Sequence, residues 1–332
     1  MKTLIIPVIL LGTLVPALAP VDGPARWLLE GVLVLLVVAS VTGWVLSRRV
    51  TSERGRKTVE NMNVRIRAWW FMAAVFGLAL FIGRIGTTVL FGLISFLALR
   101  EFITLTPTRP GDHQTLFWVF FVITPLQYYL VGMEWYGLAI IMIPVYAFLF
   151  IPIRSALQGD VKEFLERTAK VQWGLMVCVY CVSHAPMLLS LEIPGYGGQN
   201  EKLLFWFVLV AQLSDVLQWI WGKSLGRHKI APLVSPNKTW EGFVGGVLSA
   251  TAIGAALWWA TPFTPVQAGA MALAITLMGF GGGLVMSAIK RDRGVKDYGA
   301  VIEGHGGVID RIDSLCFAAP VFFHLTRYWF AA

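Results

Sequence analysis

An all-α, polytopic integral membrane fold is predicted by three observations. The 332-residue chain is 57% hydrophobic and only 14% charged, far below the roughly 25% charge of ordinary globular domains. Its mean hydropathy is +0.69. Apolar runs of about 17–25 residues recur along its whole length, which is the length a helix needs to cross a bilayer. About eleven transmembrane helices are expected, near 3–20, 27–47, 68–83, 87–103, 115–131, 135–152, 171–191, 203–222, 242–260, 267–289 and 314–331. They form a single transmembrane domain over 1–332, with N-terminal spans in 1–200 and catalytic-type spans and loops in 203–332.

The first run has one lysine, an apolar core and Ala-Leu-Ala at 17–19. Pro20 would follow a cut there and another span begins soon after, so an uncleaved helix is expected. The third and fourth spans form one apolar stretch broken at Arg84-Ile-Gly-Thr-Thr.

Orientation follows from the basic residues, which favour cytoplasmic loops. With the N-terminus cytoplasmic, only Arg26, Arg84, Lys202 and Arg327 of the 27 Lys and Arg residues fall elsewhere. The segment 48–67 carries seven basic and two acidic residues. It reads as a topology determinant, or as a binder of anionic headgroups at about 1 kcal/mol per basic residue. The mixed-sign segment 153–170 reads as a solvated helix. Cys178-Val-Tyr-Cys181 has the spacing of a redox or zinc pair but lies mid-span with no second pair nearby, so buried apolar cysteine is the reading.

Charge and glycine concentrate in SAIKRDRGVKDYGAVIEGHGGVIDRID (287–313). If Asp310-Arg311-Ile312-Asp313 opens the last helix, Asp310 and Asp313 share a face about 5–6 Å apart at Cβ. Such a pair can hold Mg²⁺, which takes one or two carboxylates plus water and phosphate oxygens. It can equally be a helix-start acid pair favoured by the macrodipole. Lys290, Arg291 and Lys296 suit a polyanion, or are topology determinants. His305-Gly306-Gly307 allows close backbone approach to a ligand, and His305 can donate to a phosphate or orient an aspartate.

A second segment follows span eight. Ser235-Pro-Asn-Lys238-Thr239-Trp-Glu241 reads as a turn into a helix whose Ser, Lys and Thr can meet phosphate oxygens, or as capping chemistry. Asp215 lies inside a span, where an acid is costly and functional by default. Together these features suggest a nucleotide or pyrophosphate handled with Mg²⁺ beside lipid.

The pattern Ser287-x-Ile-Lys290-Arg291-x₄-Lys296-Asp297-x-Gly-x₂-Ile-x-Gly-His305-Gly306-Gly307-Val-x-Asp310-Arg311-Ile-Asp313 resembles the C-terminal signature of the phosphatidate cytidylyltransferases. SPNKTWEGFVGG (235–246) is similar to that family's other segment, and Ala98-Leu-Arg-Glu101-Phe is weakly similar to its early Glu-containing helix end. The likeness is firmest from 203 to 320. It implies transfer of CMP from CTP to phosphatidic acid with Mg²⁺, giving CDP-diacylglycerol and pyrophosphate. Asp310 and Asp313 would be metal ligands, Lys290 and Ser287 would contact phosphates, and Asp215 would belong to the polar site. Departures mark a divergent branch. Gly283 and Met286 stand where the family has acids, and Glu303 stands where it has Pro or Gly. Glu303 is therefore a candidate replacement metal ligand.

The expected partners are CTP, phosphatidic acid or a related anionic lipid phosphate, and the membrane, with no nucleic acid. A homodimer is compatible with this reading. The expected location is a bacterial inner membrane with the site on the cytoplasmic face. The alternatives are transfer to another lipid phosphate, a catalytically silent lipid-binding relative, and a transporter. Clustering of charge at one surface argues against transport.

Overall fold

The structure is a computed structural model that describes residues 23–299 and 306–332. The expected span at 3–20 lies outside the described residues. Ten helices follow: α1 (Gly23–Arg49), α2 (Glu53–Ile82), α3 (Arg84–Leu105), α4 (Pro110–Gly132), α5 (Tyr136–Ala156), α6 (Phe164–Ser190), α7 (Asn200–Leu225), α8 (Trp240–Ala256), α9 (Pro265–Asp292) and α10 (Ile309–Phe330). A short antiparallel hairpin, β1 (Lys229–Ala231) and β2 (Ser235–Thr239), joins α7 to α8.

Among the described residues, eight helices are long and apolar enough to cross a membrane. The expected ninth and last spans are absent from that set. α8 has only 17 residues, and α10 carries Asp313, His324 and Arg327 along its length. The break between the third and fourth spans falls at Gly83, which has φ of 83°. The basic segment after α1 is mostly not a loop. Ser52 caps α2 by accepting from the Gly55 amide, so the segment is helical from Glu53 onward. Three π-turns, at Val119–Ile123, Met142–Ala147 and Met176–Cys181, interrupt α4, α5 and α6. All three cysteines are free, and Cys178 is buried.

The described chain gathers into two compact units, one ending at Gly86 and one formed by Thr87–Gly299 with Gly307–Ala332. In the larger unit, α7 packs on α8, α8 on α9 and α9 on α10. An aromatic cluster centres the bundle. Phe207 stacks on Phe322 at 5.0 Å, Trp206 lies 5.8 Å from the same ring, and Trp206 Nε1 donates to the Gly254 carbonyl. In lipid, close backbone packing rather than hydrophobic exclusion drives helices together. α9 meets α10 so closely at Gly282 that a Cβ would stand 2.5 Å from the Asp313 carbonyl oxygen.

The sidedness of the larger unit is built from polar contacts. The turns before α4 and α6 are tied by Arg167, which is 4% exposed. Its Nε lies 3.2 Å from Asp112 Oδ1 and its Nη1 lies 2.9 Å from Asp160 Oδ2. The guanidinium also donates to the Lys162 and Asp160 carbonyls. Arg109 adds a second contact to Asp160 at 2.9 Å. The mixed-sign segment is therefore not simply solvated, because its arginine is the buried centre of an ion network. Removing one partner of such a network leaves the other charges buried and unpaired. Arg167→Ala is expected to destabilise the fold by about 3 kcal/mol, read as a lowered melting temperature in detergent, with Arg167→Lys intermediate.

Candidate active site

The first turn of α10 is held from outside. Every helix opens with N–H groups that have no partner in the helix. Glu101, near the end of α3, supplies acceptors for two donors at this start. Its Oε1 accepts from the Val308 amide at 2.9 Å and its Oε2 from the Ile309 amide at 3.0 Å. The residue is buried, at 7% exposure. Two glycines make room for it: a Cβ on Gly299 would stand 2.8 Å from Glu101 Oε1, and one on Gly307 would collide with Oε2.

Asp310 folds the preceding segment onto the helix. Its Oδ1 receives the Lys290 ammonium at 2.7 Å. Its Oδ2 accepts from the Tyr298 and Gly307 amides at 2.8 and 3.0 Å. The Tyr298 hydroxyl donates to the Met286 carbonyl, and Lys290 lies 5.5 Å from the Tyr298 ring centre. Asp310 and Asp313 thus share the first turns of α10 as the spacing implies, but both Asp310 oxygens already have protein partners.

Asp313 looks elsewhere. It lies within electrostatic reach of Asp215 on α7, together with Lys238, Lys290 and Arg311. Both aspartates are partly exposed. Lys238 comes from β2, with its ammonium 4.4 Å from the Phe280 ring centre and 3.4 Å from the Phe280 carbonyl. Burial pushes this ammonium below the ordinary lysine value, while Asp215 and Asp313 act in the opposite direction. Gly283 opens the space: a Cβ there would stand 3.0 Å from Lys238 Nζ and 3.7 Å from Asp313 Oδ2.

The remaining sequence candidates divide. Ser287 donates to the Gly283 carbonyl at 2.7 Å within α9. Arg291 ties the hairpin by donating to the Val234 carbonyl at 3.3 Å, and it also donates to the Val295 carbonyl. Lys296 and Asp297 are exposed, and Ser235 is half-buried. Arg311 offers its carbonyl to Gln212, while its own Nε is buried without a hydrogen-bond partner. Thr239 caps α8 by accepting from the Gly242 amide. Glu241 clasps the entry to the hairpin, accepting from the Arg227 and His228 amides and meeting His228 Nδ1 at 2.5 Å. Gly306 has φ of 82°. His305 and Glu303 lie outside the described residues.

Glu101 and Tyr298 are the residues that sequence reasoning did not place in the site. A single acid at the end of an apolar run was the available signal for Glu101. For Tyr298 there was none, because a backbone amide and a tyrosine in a loop look ordinary. Among the described residues no group of three His, Cys, Asp or Glu comes together. Two facing carboxylates, with water and phosphate completing the shell, are nevertheless a donor set that Mg²⁺ accepts. Asp215 and Asp313 fit that description.

The profile of the Cytidylyltransferase family matches residues 63–329. The chain belongs to the cytidylyltransferase family. A protein of Escherichia coli strain K12 named uncharacterized protein YnbB is 40% identical over 298 residues, covering 89% of this chain and 95% of that protein. A phosphatidate cytidylyltransferase of Staphylococcus aureus strain COL is 30% identical over 200 residues, covering 56% of this chain and 74% of that enzyme. The Staphylococcus saprophyticus phosphatidate cytidylyltransferase is 41% identical over 163 residues, covering 46% and 60%. This cytidylyltransferase is a CTP-dependent nucleotidyltransferase whose described residues include eight helices long and apolar enough to cross a membrane.

Glu101→Ala is expected to lower cytidylyl transfer roughly 10- to 100-fold, as loss of an orienting partner does, while Glu101→Gln keeps one acceptor and part of the activity. Transfer of cytidine label into lipid measures both. A second expectation concerns pH. Hydrogen bonds from the Arg227 backbone first, then from the His228 ring and backbone, help hold the Glu241 carboxyl down to about 2. A carboxyl lowered on folding contributes stability above its unfolded value and loses it as pH falls through the folded one. The hairpin clasp is therefore expected to persist above about pH 4.5 and to loosen towards pH 2. Amide exchange across β1 and β2 should show this window, and Glu241→Gln should abolish it.

Proposed function

We propose that this cytidylyltransferase transfers CMP from CTP to phosphatidic acid, releasing pyrophosphate and forming CDP-diacylglycerol. The observation that carries this reading is the Asp215–Asp313 pair within electrostatic reach of Lys238, with Lys290 also within reach of Asp313. A phosphatidate oxygen is already ionised near neutral pH, so no general base is needed. It attacks the α-phosphorus of CTP, the bond between the α-phosphorus and the bridging oxygen breaks, and the electron pair leaves with pyrophosphate. The protein's part is to align the two phosphates and to stabilise charge on the leaving group. Lys238 and Lys290 do this directly.

In this reading Asp215 and Asp313 hold Mg²⁺, which neutralises phosphate charge when bound. Asp310 has its oxygens engaged in the described state. A triphosphate competing for the Lys290 ammonium would free Asp310 Oδ1 to act beside Asp313. Glu303 remains a candidate ligand, and Glu303→Gln with unchanged Mg²⁺ dependence would remove it. We infer that the site faces the cytoplasm of an inner membrane, where CTP is available.

A different lipid phosphate as acceptor is the second reading. The Staphylococcus phosphatidate enzymes cover only about half of this chain, whereas YnbB covers 89% of it. Gly283 also leaves the carboxylate pair without a third member.

The test is transfer of cytidine-labelled CTP into mixed micelles of phosphatidic acid, with and without Mg²⁺. Asp313→Asn is expected to reduce labelling roughly 100-fold or more. Undiminished labelling in Asp313→Asn would sink the assignment of the site. Labelling of another lipid phosphate but not of phosphatidic acid would favour the second reading.

A further inference from the structure

Among the described residues of the smaller unit, α1 and α2 hold a polar cavity that the proposed chemistry does not use. It has a volume of about 310 Å³ and is lined by Ser47, Arg56, Glu60, Asn63 and Arg67 with valine side chains. This is the low end of ligand-pocket volumes, a size for a headgroup rather than a whole nucleotide. Arg56, Glu60, Asn63 and Arg67 recur at helical spacing, so they share the face of α2 that meets α1.

The register of that contact sets the depth. Asn63 packs its Oδ1 against Gly43, and Trp70 Nε1 donates to Ser40 Oγ at 3.0 Å. Arg67 lies between them on α2, level with the 40–43 stretch of α1. At 1.5 Å per residue that stretch is about 9–14 Å inside the end of α1 at Arg49. α1 is apolar there and is long enough to span. An intramembrane charge is expensive and calls for a partner. Yet among the described residues neither the Arg56 nor the Arg67 guanidinium has a carboxylate within salt-bridge distance, and Arg67 is half-buried. Asn63 is 8% exposed and its Oδ1 has no hydrogen-bond partner.

We propose that this cavity binds the headgroup phosphate of a membrane phospholipid. Arg56 and Arg67 hold the phosphate oxygens by charge-assisted hydrogen bonds. The Glu60 carboxylate accepts from a donor group attached to the phosphate, such as the ammonium of phosphatidylethanolamine. The cavity is separate from the Asp215–Asp313 site in composition and does not depend on the reaction assigned there. The cations of 48–67 thus include a built site as well as general positive charge.

The test uses the full chain in detergent, titrated with short-chain phosphatidylethanolamine, and reads bound lipid by native mass spectrometry. Arg67→Gln should weaken binding roughly five- to tenfold, the effect of one basic residue on a lipid phosphate. Lys57→Gln, which removes the same charge from the same segment outside the cavity, should leave it unchanged. Short-chain phosphatidylcholine, whose ammonium has no N–H, should bind more weakly. Unchanged melting temperatures for both variants would show that the fold is intact. Equal weakening by both variants would reduce the effect to diffuse charge and overturn the proposal, as would unchanged binding in Arg67→Gln. Equal binding of phosphatidylcholine would overturn the role given to Glu60. Displacement by inorganic phosphate at the lipid's own concentration would mean a free-phosphate site and overturn the lipid assignment.

Discussion

Four N–H groups open every helix without a partner inside it, and at α10 two donors at the opening end on one carboxylate. Glu101 takes the Val308 and Ile309 amides from more than 200 positions away in sequence. Burial makes the arrangement strict, because an unsatisfied donor in a dry environment costs far more than one facing water. Gly299 and Gly307 keep that carboxylate in place by leaving room for it. The direction in which Asp310 and Asp313 point follows from this cap, since both belong to the first turns of the helix it anchors. The start of α10 is therefore anchored by a residue of α3.

Once the cap is fixed, the two aspartates of α10 have different surroundings. Asp310 turns back to the segment that precedes its helix and is saturated by one ammonium and two amides. Asp313 is a turn further on and lies within electrostatic reach of Asp215 on α7. Two carboxylates facing each other repel unless a cation lies near, and Lys238 supplies that charge from the hairpin. The hairpin is in turn held by the Glu241 clasp and by Arg291. Under the proposed function, a phosphate ligand would have to compete with Asp310 for the Lys290 ammonium.

The bundle beneath explains how so much charge is tolerated beside lipid. Stacked aromatic rings of α7 and α10 fill its centre, and glycines on α8 and α9 let backbones approach closely. Rigid, closely packed helices are a firmer base for a polar site than loops would be. The Arg167 network does the same work for the turns before α4 and α6, with the cost of burial offset by four contacts to the guanidinium.

The sequence by itself determined the helical, apolar character of the fold, the helical spans of the middle of the chain, and the family to which the chain belongs. Hydropathy and spacing are local properties and survive without a structure. It also indicated that Asp310 and Asp313 share a helix face, because that follows from the helical repeat alone. What only the tertiary structure decided is which carboxylate faces which cation. Asp215 and Asp313 are 98 positions apart, and Glu101 lies farther still from the amides it caps. The structure also turned the presumed basic loop of 48–67 into a helix, because the Ser52 cap and the packing of Asn63 and Trp70 on α1 outweigh its charge. No local pattern encodes such pairings: they arise when helices cross at distances set by glycines, and buried polar groups then find the partners within reach.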